Sequence, residues 1–209
     1  MSGRPPSVDL RELFGPIRDQ GTRPTCLAFA SSAAHENARA RVAPLSPEAL
    51  FHSCVDRDPP AETEGTTTDV IAAALQEDGQ CDEADWPYGA PAPIGAPTFY
   101  RAQPGPPRAV HINEFVKAAL VQGQPVILAL TLTGAWENAG PDGVIPSPTP
   151  ADEDLGGHAV LAVGYDLARN VTLARNSWST DWGDRGYAWL PDDYLDAYVF
   201  DTLTLLPSP

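Results

Sequence analysis

The chain has 209 residues, enough for one compact catalytic unit or for two small lobes that share a cleft. Hydrophobic residues make up 43% and charged residues 20%, as in ordinary soluble globular proteins. A net charge of −15 repels phosphate backbones and anionic lipid, which argues against nucleic acid and membrane as partners.

The opening segment, MSGRPPSVDLRELFGPIRDQ, lacks a basic start, an apolar run and a small-residue cleavage site, so no secretory signal is expected. No stretch approaches the roughly 20 apolar residues of a membrane span. Cys26, Cys54 and Cys81 allow at most one disulfide and leave one thiol over. That count suits a reducing, cytoplasmic setting, with Cys54 and Cys81 read as buried unpaired thiols. Lys117 is the only lysine, and Ala, Pro and Gly are abundant, a bias that hints at a GC-rich bacterial genome.

Residues 1–10 are polar, carry Pro5 and Pro6, and read as a loose arm. The run CLAFASSAAHENARARV over 26–42 has apolar residues at helical spacing, with Thr25 as its expected cap. A second helix is expected over 46–54, with Ser46 as cap and Pro47 in the first helical position. A third spans 67–78 and stops at Gly79. Prolines crowd 86–108 so densely that regular structure is excluded, and this segment reads as an ordered connection. A short helix follows at 113–122. PVILALTL, HAVLAVGYD, VTLARNSW and GYAWLP then read as strands of an antiparallel sheet. Helices first and strands second give an α+β arrangement: a helical lobe over 11–108 and a β lobe over 109–209.

A thiol attacks a carbonyl only as its thiolate, so a nucleophilic cysteine needs help to ionise. Cys26 stands at a helix start, where unpaired N–H groups and the helix dipole favour an anion. Such a site also needs a histidine to move the proton, a group to fix the ring, and donors for the developing oxyanion. DQGTRPTCLAFA places Gln20 before Cys26. GGHAVLAVGYD then offers His158, and ARNSWSTDWGDRGYAWL offers Asn176. His158 lies 132 residues after Cys26, within the roughly 130–150 known for such sites.

These three segments resemble the papain family of cysteine peptidases, and more narrowly its compact bacterial members. The resemblance runs from about residue 9 to 195. It implies the family's two-lobed fold, with the active site in the cleft between a helical lobe and an antiparallel β lobe. It implies a Cys26–His158 thiolate–imidazolium pair, with Asn176 accepting from the His158 ring. Gln20 and the Cys26 N–H would form the oxyanion hole. Gly65, Thr66, Gly157 and Trp178 are expected to contact substrate, with Trp178 covering the His158–Asn176 bond and Trp182 packing beside it. Peptide or protein is the implied substrate, a regulatory protein partner is a further expectation, and no cofactor or metal is expected.

Several positions depart from the family pattern. Arg23 stands where a disulfide-forming cysteine is common, Leu27 where Trp follows the nucleophile, and Ser179 where Gly follows Asn-Ser-Trp. The substrate-binding glycine pair is reduced to Gly65 and Thr66, and a long inhibitory N-terminal segment like that of secreted relatives is not expected. Asp152, Glu153 and Asp154 read as a solvated loop, with the cleft rim as the alternative placement. His35, His52 and His111 read as packing or surface residues. The same catalytic set also serves ligases and cyclases, and a silent peptide-binding module is the rival of another class.

Overall fold

A computed structural model describes residues 4–41, 43–137, 139–149 and 151–208. The helical part opens with α1 (Cys26–Ala38) and continues with α2 (Pro47–Arg57), the single turn α3 (Ala61–Glu64) and α4 (Thr68–Glu77). Helix α5 (Ile112–Val121) leads into strand β2 (Val126–Thr133), the short turn α6 (Gly134–Glu137) and the long strand β3 (Asp154–Asp166). Strands β4 (Val171–Arg175) and β5 (Tyr187–Pro191), helix α7 (Asp192–Tyr198) and strand β6 (Val199–Leu203) complete the chain, and β1 (Ser7–Asp9) precedes them all. The main sheet path runs β5-β4-β3-β2-β6, with β1 added to β3, and every pairing is antiparallel.

The sheet is buried on both faces, and the period of two along a strand sorts its side chains into two cores. Ile127, Leu161, Val163 and Leu173 face the helices, in one cluster with Leu27, Leu50 and Leu75. Leu128, Leu130, Val160 and Ala162 face the other way, against Val116 of α5 and Leu195 of α7. Helix α1 is buried on nearly every side from Leu27 to Glu36, which its alanines permit because they let backbones approach closely.

The expected helices and strands are present, with altered ends. Helix α1 stops at Ala38, before the expected end at Val42, which itself lies outside the described residues; Ala40 turns with φ 49°. Ser46 accepts from the Ala49 N–H at 3.0 Å, as a cap should, and Pro47 opens α2, which runs on to Arg57. Thr67 caps α4, and Gly79 follows it at φ 86°. The segment 86–108 contains no helix or extended strand.

Two expectations fail. Residues 4–10 are not a loose arm: Ser7, Val8 and Asp9 pair with Asp166, Tyr165 and Gly164, and the Tyr165 hydroxyl donates to the Pro5 carbonyl at 2.9 Å. Main-chain pairing fixes the segment, and three residues carry no periodic apolar signal. Thr25 does not cap α1 with its side chain, because its hydroxyl is hydrogen-bonded to that of Tyr88 at 2.8 Å. Among the described residues no helix is long and apolar enough to cross a membrane.

Candidate active site

A groove of about 620 Å³ runs along the junction of helices and sheet, with Cys26, His158, Gln20 and Trp178 in its walls. Cys26 opens α1, which packs against β3, and His158 sits early on β3. The two share the groove because α1 points its first turn at that strand, and the Ala159 N–H, one residue beyond His158, favours the anion of the Cys26 sulfur. The N–H groups of Cys26 and Leu27 lie on the same sulfur and favour its anion.

Strand register brings His158 and Asn176 together. Leu161 pairs with Arg175, so these two residues, at even positions on adjoining strands, share one face near one end of the sheet. The His158 Nε2 donates to Asn176 Oδ1 at 2.8 Å. The Ser177 N–H also donates to that oxygen at 2.9 Å, which fixes the amide as acceptor toward the ring. With the proton on Nε2, Nδ1 is left as the basic nitrogen.

The ring lies in an aromatic enclosure. Trp178 tilts over it at 4.7 Å between centroids and Trp136 meets it edge-on at 5.8 Å. Trp182 stacks on Trp136 at 5.6 Å, and its indole N–H donates to the Trp136 carbonyl at 2.9 Å. Trp136, fully buried, also donates to the Tyr194 hydroxyl at 2.8 Å. These rings keep water from the His158–Asn176 bond.

Burial holds each reacting group neutral when taken alone. It pushes the Cys26 thiol up, against the pull of the Ala159, Leu27 and Cys26 N–H groups. It pushes the His158 imidazole down to about 4, with the Asn176 bond opposing. The sequence-based expectation of a depressed thiol is therefore not met by the local N–H groups alone. Ionisation requires that both groups charge together.

Gln20 is tied to the Asn-Ser-Trp segment across the groove. Its N–H donates to the Ser177 carbonyl at 2.9 Å, and its side-chain Oε1 accepts from the Ser177 hydroxyl at 2.7 Å. One proton of its amide nitrogen goes to the Arg23 carbonyl at 2.9 Å, and the second is left for a ligand.

Gly65, Thr66, Gly157 and Trp178 all line the groove with Gln20, Cys26 and His158. Gly65 takes φ 85° as it ends α3, a backbone shape that favours glycine. The groove's carboxylates are Glu64, Asp69 and Asp201; none of Asp152, Glu153 and Asp154 lines it. Asp152 instead accepts from the N–H and hydroxyl of Thr149.

Trp136, Ser177 and Tyr88 support the site and were not singled out by sequence reasoning. Ser177 stands in the segment ARNSWSTDWGDRGYAWL beside Asn176, so position was a usable signal for it, whereas Tyr88 stands in the proline-crowded stretch 86–108, which was read only as a connection. Trp136 lies in the short turn α6, outside every segment quoted for the site, and offered no signal beyond its size.

A family model described as "Papain family cysteine protease" matches residues 4–198. "Cysteine endopeptidase RepA" of Oryza sativa subsp. japonica is 30% identical over 200 residues, which cover 88% of this chain and 51% of that protein. "Cathepsin K" of Mus musculus is 28% identical, over 98% of this chain and 65% of that protein. The chain thus spans about half to two-thirds of the length of these two curated relatives. Among solved structures, xylellain, a cysteine protease from Xylella fastidiosa, superposes with a TM-score of 0.83 at 26% identity, covering 100% of this chain and 88% of that one. The Carica candamarcensis cysteine protease CMS1MS2 superposes with a TM-score of 0.73 at 22% identity, over 98% of this chain and all of that one, and speaks for the fold alone. With a cysteine, a ring-fixed histidine and an amide donor in one groove, and a family match over nearly the whole length, the chain belongs to the papain family of cysteine proteases.

Proposed function

We propose that this chain is a cysteine peptidase that hydrolyses peptide bonds through a covalent acyl-enzyme, without a cofactor. The observation that carries the reading is the His158–Asn176 bond, buried beneath Trp178 in the groove that holds Cys26. Burial holds the His158 imidazole below its ordinary value and so works against the charged ring. A thiolate and an imidazolium in one groove attract each other more strongly than they would in water. That attraction opposes the burial that raises the Cys26 thiol and lowers the His158 ring, so the thiol proton passes to Nδ1 as both groups charge together.

The thiolate attacks the carbonyl carbon, and the carbonyl π electrons move to oxygen. Gln20 and the Cys26 N–H stabilise that oxyanion. As the oxyanion collapses, the C–N bond breaks and His158 passes its proton to the leaving amine, which leaves a thioester. His158 then takes a proton from water as it attacks, and the sulfur departs with that proton restored. Gly65 and Gly157, without side chains, allow a substrate backbone to lie close, and Thr66 and Trp178 flank it. The relatives above bear protease names, which favours water over an amine as the final acceptor.

The test is turnover of a mixed peptide library by the wild-type chain and by Cys26→Ala. The variant is expected to lose all cleavage while keeping the wild-type circular dichroism spectrum. Cleavage retained in the variant ends the proposal.

A further inference from the structure

The loop from Gln20 to Thr25 joins the oxyanion donor to the nucleophile, and it has no helix or extended strand of its own to hold its shape. Its internal bonds converge on one carbonyl: Arg23 O accepts from Gln20 Nε2 at 2.9 Å and from the Thr25 N–H at 2.8 Å. The position of that carbonyl therefore sets the direction of the Gln20 amide.

Two outside groups grip the loop. The Tyr88 hydroxyl donates to the Gln20 carbonyl at 2.8 Å, and having one proton it accepts from Thr25 Oγ1, also at 2.8 Å. One hydroxyl thus ties the two ends of the loop together. The Arg23 guanidinium forks across Glu48 of α2 at 2.5 and 3.0 Å, an arrangement stronger and more directional than a neutral bond. The same guanidinium lies over the rings of Tyr88 at 4.9 Å and Phe51 at 5.4 Å. Glu48 also accepts from the Gly89 N–H at 2.8 Å, so it binds the Tyr88 segment as well as the loop.

We propose that Tyr88, Arg23 and Glu48 form a clamp that positions the Gln20 amide for the oxyanion, acting on turnover through Gln20 and not through the nucleophile. The proposal rests on the peptidase reading and adds three positioning residues to it. Arg23 occupies a position where similar chains commonly carry a disulfide-forming cysteine; here an ion pair and a hydroxyl fasten the loop instead, so reductant leaves the fastening untouched.

The variants are Tyr88→Phe, which removes one hydroxyl but keeps the ring beneath Arg23, and Glu48→Gln, which removes the charge but keeps the shape. Each is assayed for kcat and KM on a peptide substrate, for Cys26 alkylation by iodoacetamide, and in a Gln20→Ala background. Alkylation displaces iodide from a saturated carbon and develops no oxyanion, so it reports the thiolate alone. The clamp predicts a kcat loss of about tenfold, part of the roughly 10²–10³ that a lost oxyanion donor costs. It also predicts KM and alkylation rate within twofold of wild type, and little further loss when Gln20 is already Ala. Unchanged kcat, a parallel fall in alkylation, or full additivity with Gln20→Ala overturns it. A wild-type chain with no peptide turnover sinks the peptidase reading, and the clamp is then decided by hydrogen exchange of the Gln20 side-chain amide in ¹⁵N-labelled protein. Faster exchange in Tyr88→Phe upholds the clamp, and unchanged exchange overturns it.

Discussion

His35 shows at a single residue how burial converts into pH dependence. It lies in the last turn of α1 with no exposed surface, and its Nδ1 is hydrogen-bonded to Gln80 Oε1 at 2.9 Å. Burial lowers its pKa, the Gln80 bond opposes, and the charges of Arg39 and Arg41 lower it further. In the unfolded chain the same ring titrates near ~6.5. The unfolded state therefore binds a proton that the folded state refuses, and stability present above about pH 6.5 falls as pH drops toward the folded pKa. Urea unfolding from pH 7 to 5 is expected to lose less stability in His35→Gln than in wild type. Equal slopes would contradict this account. Single residues were also the most legible part of the sequence: Gln20, Cys26, His158 and Asn176 each stand in a segment with a recognisable neighbourhood, and all four meet at one site. Thr25 was misread because the partner of its hydroxyl, Tyr88, is 63 residues away, and no local pattern announces such a contact.

Elements were legible where the signal is local. Ser46-Pro47 marked a helix start correctly because a cap acts within one turn. Ser46 also donates to the Trp86 carbonyl at 2.6 Å, so it fastens the proline-rich connection to α2. Ser46→Ala is expected to cost about 1–2 kcal/mol, the larger part as the lost cap. Thermal unfolding checks this, and a melting temperature unchanged from wild type would mean that neither bond contributes. Strands β2 to β4 were readable from apolar runs, since a strand buried on both faces shows a continuous run of buried residues, and β5 from its alternation of buried and half-buried positions. Strand β6 was not: VFDTL lies at the sheet edge, with Phe200 exposed and Asp201 facing the groove, and it has no clean pattern. Helix α7 is short and follows Pro191, and β1 is held by main-chain bonds to a strand more than 150 residues away.

At the scale of the whole molecule, one sheet buried on both faces sets the geometry of the groove. Its helix-facing side seats α1, so the first turn of that helix meets β3 beside His158. Its opposite side supports Trp136, which with Trp178 closes over the His158 ring, and Trp182, which stacks on Trp136. None of this is written in any single segment, because it arises from pairing across 132 residues of sequence. The same packing separates the three thiols. Cys26 alone borders the groove, while burial pushes Cys54 up to about 12 and Cys81 up to about 11. The central claim is that Cys26, paired with His158, is the one reactive nucleophile. It is tested most directly by treating the native protein at pH 7 with a limiting amount of an epoxysuccinyl reagent and mapping the adduct by peptide mass spectrometry. The account predicts modification of Cys26 alone, lost when His158 is replaced by Ala; equal modification of all three cysteines, or undiminished modification in His158→Ala, would contradict it.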